Sequence, residues 1–385
     1  MNNKNILILC KVIDNYGDIG VVYRLAKSLS DIDSFLNITI VCSNLDSFKL
    51  INNDVDPLKK EQTIKYKSSV WKILDWNQKE DFKFSSEPFP IILECFQCGR
   101  PDWLENILFD KNAPKEKIYH IFNIEYLTAE EYADEFHLLK SYTRSANVKK
   151  MFFMPGFTSK TAGLIIDKDF YELLNKNKNQ HTYAPNEFIV TLFSYEKDFT
   201  DIFKSLNNFQ EKKRKNNSNF TVTVKAAAGK SLDFAKKAWR ATGKKINLIE
   251  LPFLRQEEWD KELFNSDFIF IRGEETLARA CLIGKPFIWH AYKQDDDWQL
   301  VKVNALLNRL LPFIQDERIC SHLKNFWNDY NNPKTSINKI DLDYILDSFD
   351  EKSALNEGFK NFADSLLKNG NLSENLLNYL TTEGL

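Results

Sequence analysis

Along the chain, apolar runs of strand length alternate with stretches whose apolar positions recur every three or four residues. This pattern predicts βαβ units and mostly parallel sheets. Asn5 to Ile13 is densely apolar, Asp14-Asn-Tyr-Gly-Asp18 has turn composition, and Ile19, Val22, Ala26 and Leu29 then fall at helical spacing. Further strands are predicted at Asn37 to Cys42, Pro90 to Cys95, Lys117 to Asn123 and Lys150 to Met154, with Thr128-Ala-Glu-Glu131 at capping-box spacing before a helix. A polar, lysine- and asparagine-rich stretch from Asn175 to Asn186 reads as a linker. Beyond it the pattern repeats, with strands expected at Glu187 to Phe193, Phe220 to Lys225, Lys245 to Glu250, Asp267 to Ile271 and Pro286 to Trp289. From Trp298 onward it turns helical, and Asn369-Gly-Asn371 breaks the last two helices.

The predicted class is therefore α/β, with two Rossmann-like doubly wound domains facing a cleft and a helical C-terminal tail. The expected boundaries are 1–174, a linker at 175–186, 187–355, and C-terminal helices at 356–385. Such sheets bind ligands beyond the carboxyl ends of their strands, so the chemistry is expected there.

Composition narrows the classes. The 52 basic and 54 acidic side chains nearly cancel, which removes the one-signed basic surplus expected of a nucleic-acid binder. No apolar run reaches the roughly 18 to 20 residues of a membrane span, and the N-terminal run is short and soon interrupted by charge, so a cytoplasmic chain without membrane partners is expected. The six cysteines lie mostly in apolar segments and read as reduced thiols. Cys95-Phe-Gln-Cys98 supplies half a zinc site with no second pair to complete it, so no metal is inferred. The repeated Asp-x-Asp spellings, including Asp295-Asp-Asp297, are too frequent to carry a metal, and the basic run Glu211 to Lys215 reads as a solvated loop.

Neither a Gly-x-Gly-x-x-Gly nor a Walker motif is present. The loop Asp14 to Gly20 instead carries two carboxylates four residues apart with Gly17 and Gly20. These acids could serve one substrate, or Asp18 could cap the helix while Asp14 shapes the turn. Phe268-Ile-Phe-Ile-Arg272-Gly-Glu-Glu-Thr276 is a strand running into arginine and then a helix start. It is either an anion site or a helix whose first-turn acids complement the dipole. Phe193, Tyr195 and Phe253 end other strands and could stack on a nucleobase or belong to the core, while His290 reads as a structural histidine.

Taken in order, Lys11-Val-Ile-Asp-Asn-Tyr-Gly-Asp-Ile-Gly20, Glu94-Cys-Phe96, Glu125-Tyr-Leu-Thr-Ala-Glu130, Phe152-Phe-Met-Pro-Gly-Phe157, Ile271-Arg-Gly-Glu-Glu-Thr276 and Gly284-Lys-Pro-Phe-Ile-Trp-His290 resemble one family. It is the elongation factor P arginine rhamnosyltransferases, glycosyltransferases of the two-Rossmann GT-B fold. The resemblance implies metal-independent, inverting transfer of rhamnose from TDP-β-L-rhamnose, a co-substrate rather than a cofactor, to one arginine of elongation factor P. The modified factor relieves ribosomes stalled at consecutive prolines. It further implies Asp18 as general base, Asp14 orienting the guanidinium, and Glu274 as a third catalytic residue. Phe193, Tyr195, Phe253 and Gln256 would contact thymine and ribose. Arg272, Gly273, Glu275 and Thr276 would hold diphosphate or sugar, and Tyr16, Gly17 and Tyr292 would complete the donor site. The N-domain acids would then lie across the cleft from the nucleotide. The family usually has Gly-Glu-Asp-Ser where this chain has Gly273-Glu-Glu-Thr276, which lengthens the reach of Glu275 by one methylene. The alternatives are a GT-B enzyme for another nucleotide sugar or acceptor, and a non-catalytic module that binds a translation factor.

Overall fold

The strand-length apolar runs become the centres of two parallel sheets in a computed structural model, which describes residues 4–13, 17–79, 82–84, 88–114, 116–177, 186–350 and 352–385. The chain divides into two compact units, residues 1–168 with 369–385, and residues 169–368.

Unit 1 contains β1 (Asn5–Cys10), α1 (Gly17–Ile32), β2 (Asn37–Cys42), α2 (Leu45–Ile51), β3 (Glu61–Tyr66), β4 (Ser69–Asp75), β5 (Ile91–Cys95), α3 (Asp102–Leu108), β6 (Tyr119–Ile124), α4 (Tyr132–Phe136), β7 (Lys140–Ser141) and β8 (Val148–Phe153). Its sheet runs β3-β4-β2-β1-β5-β6-β8-β7, antiparallel only at the edge strands β3 and β7. Central β1 is apolar at every turn of its pleat because both faces are covered. Ile6, Ile8 and Cys10 join Ile19, Val22, Leu25, Ala26 and Leu29 of α1, whereas Leu7 and Leu9 face Trp103, Leu104 and Leu108 of α3. The β3–β4 hairpin was not expected. Its strands mix polar and apolar residues without a strict two-residue period, and the turn residue Lys67 adopts φ 51°.

Unit 2 contains α5 (Lys168–Asn177), β9 (Glu187–Leu192), α6 (Thr200–Arg214), β10 (Thr221–Ala227), α7 (Leu232–Ala241), β11 (Asn247–Leu251), α8 (Gln256–Phe264), β12 (Phe268–Arg272), α9 (Glu274–Ile283) and β13 (Phe287–His290). The helices α10 (Trp298–Leu310), α11 (Glu317–Asn331), α12 (Lys339–Asp347) and α13 (Ala354–Lys368) follow. The strand order is β11-β10-β9-β12-β13, with every pair parallel. The five strand carboxyl ends therefore share one edge.

The boundary and the tail differ from the expectation. Unit 1 ends at Lys168, after a buried ion pair in which Arg24 Nη1 meets Asp167 Oδ2 at 3.1 Å. The two C-terminal helices part company, since α13 belongs to unit 2 and α14 (Leu372–Thr382) to unit 1. Leu372, Leu376 and Leu380, spaced four apart, enter the core beside α1, each fully buried and worth about 2 kcal/mol. The returning chain is held like a strand. Leu372 N donates to Leu164 O at 2.9 Å, and the Asn371 side chain donates to Ile166 O at 2.7 Å and accepts from Ile166 N at 3.2 Å. Gly163 permits the approach, because a Cβ there would sit 2.6 Å from Gly370 O. The expected linker spans Asn175 to Asn186, of which residues 178–185 lie outside the described residues.

Two smaller expectations also fail. Lys212, Lys213 and Arg214 are the last turn of α6 rather than a loop, where positive charge suits the helix carboxyl end. Thr128 caps no helix. Its Oγ1 accepts from Glu130 N at 3.2 Å and closes a local turn, while α4 starts only at Tyr132.

Candidate active site

In a doubly wound sheet, the strand order reverses where two neighbouring strands send their connections to opposite sides, and a crevice opens there. In unit 1 this point lies between β1 and β5, and in unit 2 between β9 and β12. Asp18 lies at the first, and Phe193, Tyr195 and Arg272 lie at the second.

At the first point, Asp14 and Tyr16 lie outside the described residues, and Gly17 opens α1 with an exposed backbone. Asp18 is 4% exposed in the first turn of α1. Its Oδ2 accepts from Ile13 N at 2.7 Å and its Oδ1 from the Tyr126 hydroxyl at 3.2 Å. The carboxylate is thus oriented from two sides, and it also complements the helix dipole. Tyr126 is itself stacked on Phe96, with centroids 4.4 Å apart and planes at 17°. Phe96 and Gln97 both adopt left-handed backbone, φ 61° and 50°, at a cost of about 1 kcal/mol or more each. The turn is pinned by Phe96 N donating to Ile124 O at 2.7 Å and by the Gln97 amide donating to Glu125.

Tyr126 and Phe96 had not been named as site residues. The signal available was position, since Phe96 directly follows the carboxyl end of β5 and Tyr126 lies two residues past that of β6. Beside them, buried Glu94 pairs with Arg100 and, at 2.8 Å, with Lys150. The Cys95 and Cys98 thiols are poor nucleophiles. Burial, then Cys98 and Glu94, push Cys95 well up, and burial followed by Glu94 raises Cys98 to about 12.

At the second point, Arg272 ends β12 and its guanidinium carbon lies 4.6 Å from the Phe193 ring centroid and 4.8 Å from that of Tyr195. Arg272 Nε is buried with no acceptor among the described residues. Phe193 is braced by the Trp259 ring at 5.1 Å, and its N–H donates to Phe270 O at 2.8 Å. Across the edge, a Cβ added to Gly229 would lie 3.6 Å from Arg272 Nη2. Gly273 turns the chain from β12 into α9 with φ 75°, a conformation favouring glycine, and nothing crowds it. Glu274 and Glu275 form the first turn of α9, and Thr276 is buried. Glu275 Oε1 accepts from Arg279 Nε at 3.2 Å, so its carboxylate is drawn along the helix toward a buried arginine.

Phe253 and Tyr292 are 51% and 62% exposed at the same strand-end edge, and Gln256 opens α8 there. Tyr195 also packs edge-on against His290 and Tyr292, at 5.2 and 5.7 Å. Lys230 lies over the Tyr195 ring at 5.9 Å, and Lys197 over that of Tyr330 at 5.4 Å. Burial lowers the Lys197 ammonium, an effect that Asp329 partly opposes. His290 is depressed to about 3, chiefly by burial and then by Lys197 and Arg272. The acidic triplet follows Tyr292 by three residues and is held in a turn of its own. Asp296 and Asp297 form a left-handed turn, and Asp297 Oδ2 pairs with Lys334 at 2.6 Å.

Residues 6–381 match the family described as elongation factor P (EF-P) rhamnosyltransferase EarP. A protein-arginine rhamnosyltransferase of Shewanella oneidensis is 31% identical over 339 residues, covering 80% of this chain and 82% of that protein. One from Neisseria meningitidis is 28% identical over 342 residues, with 82% and 81% covered. Among solved structures, "Structural basis for EarP-mediated arginine glycosylation of translation elongation factor EF-P" aligns over 99% of both chains with a TM-score of 0.59 at 15% identity, a likeness of fold. No helix among the described residues is long and apolar enough to cross a membrane.

Proposed function

The chain belongs to the elongation factor P rhamnosyltransferase family, and on that premise we propose that it transfers rhamnose from TDP-β-L-rhamnose to one arginine of elongation factor P, with inversion and without a metal. The observation that carries this reading is Arg272, a guanidinium set over two aromatic rings at a switch point with a buried Nε that lacks an acceptor among the described residues. Such a group can grip a diphosphate while the adjoining rings receive a base.

The acceptor is a poor nucleophile, because a guanidinium holds its proton to a pKa above about 12 and its lone pairs are delocalised. A carboxylate cannot deprotonate it free in solution, since the two differ by roughly nine pKa units. The proton therefore leaves as the C–N bond forms. The arginine nitrogen bonds to C1 of rhamnose on the face opposite the diphosphate and the C1–O bond breaks. TDP departs with the electron pair, and the proton passes to Asp18.

Asp18 suits this role because Ile13 and Tyr126 fix its orientation before the acceptor arrives. Asp14 and Glu274 are proposed to help orient the reacting groups. Phe193, Tyr195, Phe253 and Gln256 would take thymine and ribose, with Tyr16, Gly17 and Tyr292 completing the donor site. Arg272, the Gly273 to Thr276 helix start and its amides would hold the departing diphosphate, supplying the positive charge that other transferases take from a metal. With Glu275 engaged by Arg279, its contribution on this reading comes through its backbone.

Within this reading the enzyme works in the cytoplasm and needs no cofactor beyond its co-substrate. Its product factor helps ribosomes stalled at consecutive prolines. Intact-mass spectrometry of purified elongation factor P after incubation with the enzyme and TDP-rhamnose tests it. One deoxyhexose on one arginine is the expected result, and an unmodified factor would sink the proposal.

A further inference from the structure

The Ser194 hydroxyl stands between two partners, His290 Nδ1 at 2.7 Å and the Tyr330 hydroxyl at 2.7 Å, and it has one proton to give. Tyr330 is completely buried, and Ser194 is the hydrogen-bond partner of its hydroxyl among the described residues. A buried O–H left without an acceptor costs about 1–3 kcal/mol, so Tyr330 donates to Ser194. Ser194 must then donate to His290 Nδ1, which accepts through its lone pair and carries no proton. The ring proton consequently sits on Nε2.

The Ser194 main chain is anchored beside this pair, because its N–H donates to Ser231 Oγ at 3.2 Å. Burial keeps the imidazole neutral, with its pKa lowered to about 3. His290 ends β13 and stands in register with Arg272 on β12. Its ring edges onto Tyr195, which also carries the Arg272 guanidinium. Nε2 has no partner among the described residues, and it is not among their buried orphan atoms, so it reaches solvent at the strand-end edge.

We propose that Tyr330 and Ser194 are positioning residues that fix His290 as its Nε2–H tautomer, and that this N–H donates to a diphosphate oxygen of the nucleotide sugar beside Arg272. The assignment rests on the nucleotide reading of this edge given above. A neutral donor adds a directed hydrogen bond without a further full charge that would retain departing TDP.

Long-range proton–nitrogen NMR on the full chain, labelled at histidine, reads the tautomer directly. His290 is expected to show a bare Nδ1 and a protonated Nε2, and Tyr330→Phe and Ser194→Ala should each mix the two forms. Calorimetric titration with TDP reads the ligand. His290→Phe, which keeps a ring but loses the donor, should weaken binding about tenfold or more, the scale of one hydrogen bond to a charged acceptor. Ser194→Ala should weaken it about threefold and provides the test should the Phe variant not fold. A protonated Nδ1 in the unaltered protein, or His290→Phe binding TDP as tightly as wild type, would overturn the proposal while leaving the Arg272 site intact. Failure of the wild-type chain to bind TDP at all would overturn the nucleotide reading, and this proposal with it.

Discussion

Replacing Arg272 by methionine separates what the residue does for the fold from what it does for a ligand. In the free protein the substitution removes two cation–π contacts, at 4.6 and 4.8 Å, worth roughly 0.5–1 kcal/mol each at a partly exposed site. It also removes a buried Nε–H that has no acceptor among the described residues, a feature costing about 1–3 kcal/mol. The two effects oppose one another, so the unfolding free energy should change by between a loss of about 1 kcal/mol and a gain of about 2 kcal/mol. With TDP present, two charge-assisted hydrogen bonds to the diphosphate are lost at about 1.5–3 kcal/mol each. A loss of about 3 kcal/mol or more corresponds to a Kd raised at least ~150-fold. Arg272→Lys keeps the charge but not the planar fork, and it should fall between the two. Calorimetric titration and unfolding on the same samples make the comparison. A methionine variant that binds TDP within about twofold of wild type, yet loses more than ~3 kcal/mol of stability, would make Arg272 a structural stacking residue and refute the reasoning.

Asp18→Asn preserves size and an acceptor oxygen, so TDP affinity should hold while sugar transfer falls at least ~100-fold; normal turnover would remove Asp18 from the proton transfer. Asp267 gives a pH signature. Burial raises its carboxyl to about 6, opposed by its bond from Ile189 N and by Lys285. Because the folded pKa exceeds the unfolded one, its contribution is fully present below about pH 4 and is lost as pH rises through about 6. Asp267→Asn should therefore gain on wild type by about 2–3 kcal/mol between pH 4 and pH 7.5, and parallel stability profiles would contradict the assignment. Deleting residues 369–385 strips Leu372, Leu376 and Leu380 from the unit 1 core and should cost at least about 6 kcal/mol. Native-like hydrogen-exchange protection of β1 in the truncated chain would count against that packing.

The parallel strands were legible because strands covered on both faces are continuously apolar, as in Ile6 to Cys10 and Phe268 to Ile271. The β3–β4 hairpin was missed because its edge position leaves one face polar, and Glu61 to Asp75 then resembles a surface segment. Periodicity revealed the last helix but not its destination. Nothing local to Leu372-Ser-Glu-Asn-Leu376 says that it packs on α1, more than 340 residues earlier in the chain. The site divides the same way. Strand-end logic found Arg272, Phe193 and Tyr195, which do meet, but the bonds from Tyr126 to Asp18 and from Ser194 to Tyr330 span 108 and 136 residues. Hydrogen bonds closed only by the tertiary fold leave no periodic trace.

The missing glycine fingerprint follows from the same geometry. A glycine-rich first turn lets backbone amides approach a pyrophosphate, and the binding charge then comes from the turn after the first strand. Here that turn is Phe193-Ser-Tyr195, two rings with a buried serine between them, too bulky for such an approach. On the proposed reading the positive charge comes instead from the neighbouring strand, where Arg272 ends β12 and leans back over both rings. Gly273 and the start of α9 follow immediately, so side-chain fork and helix amides come from consecutive residues. The proposed aromatic platform and anion grip thus sit on opposite sides of the switch point. This explains why the chemistry was spelled in separate strand ends rather than in one motif, and why moving either strand by one residue would turn its contribution to the other face of the sheet.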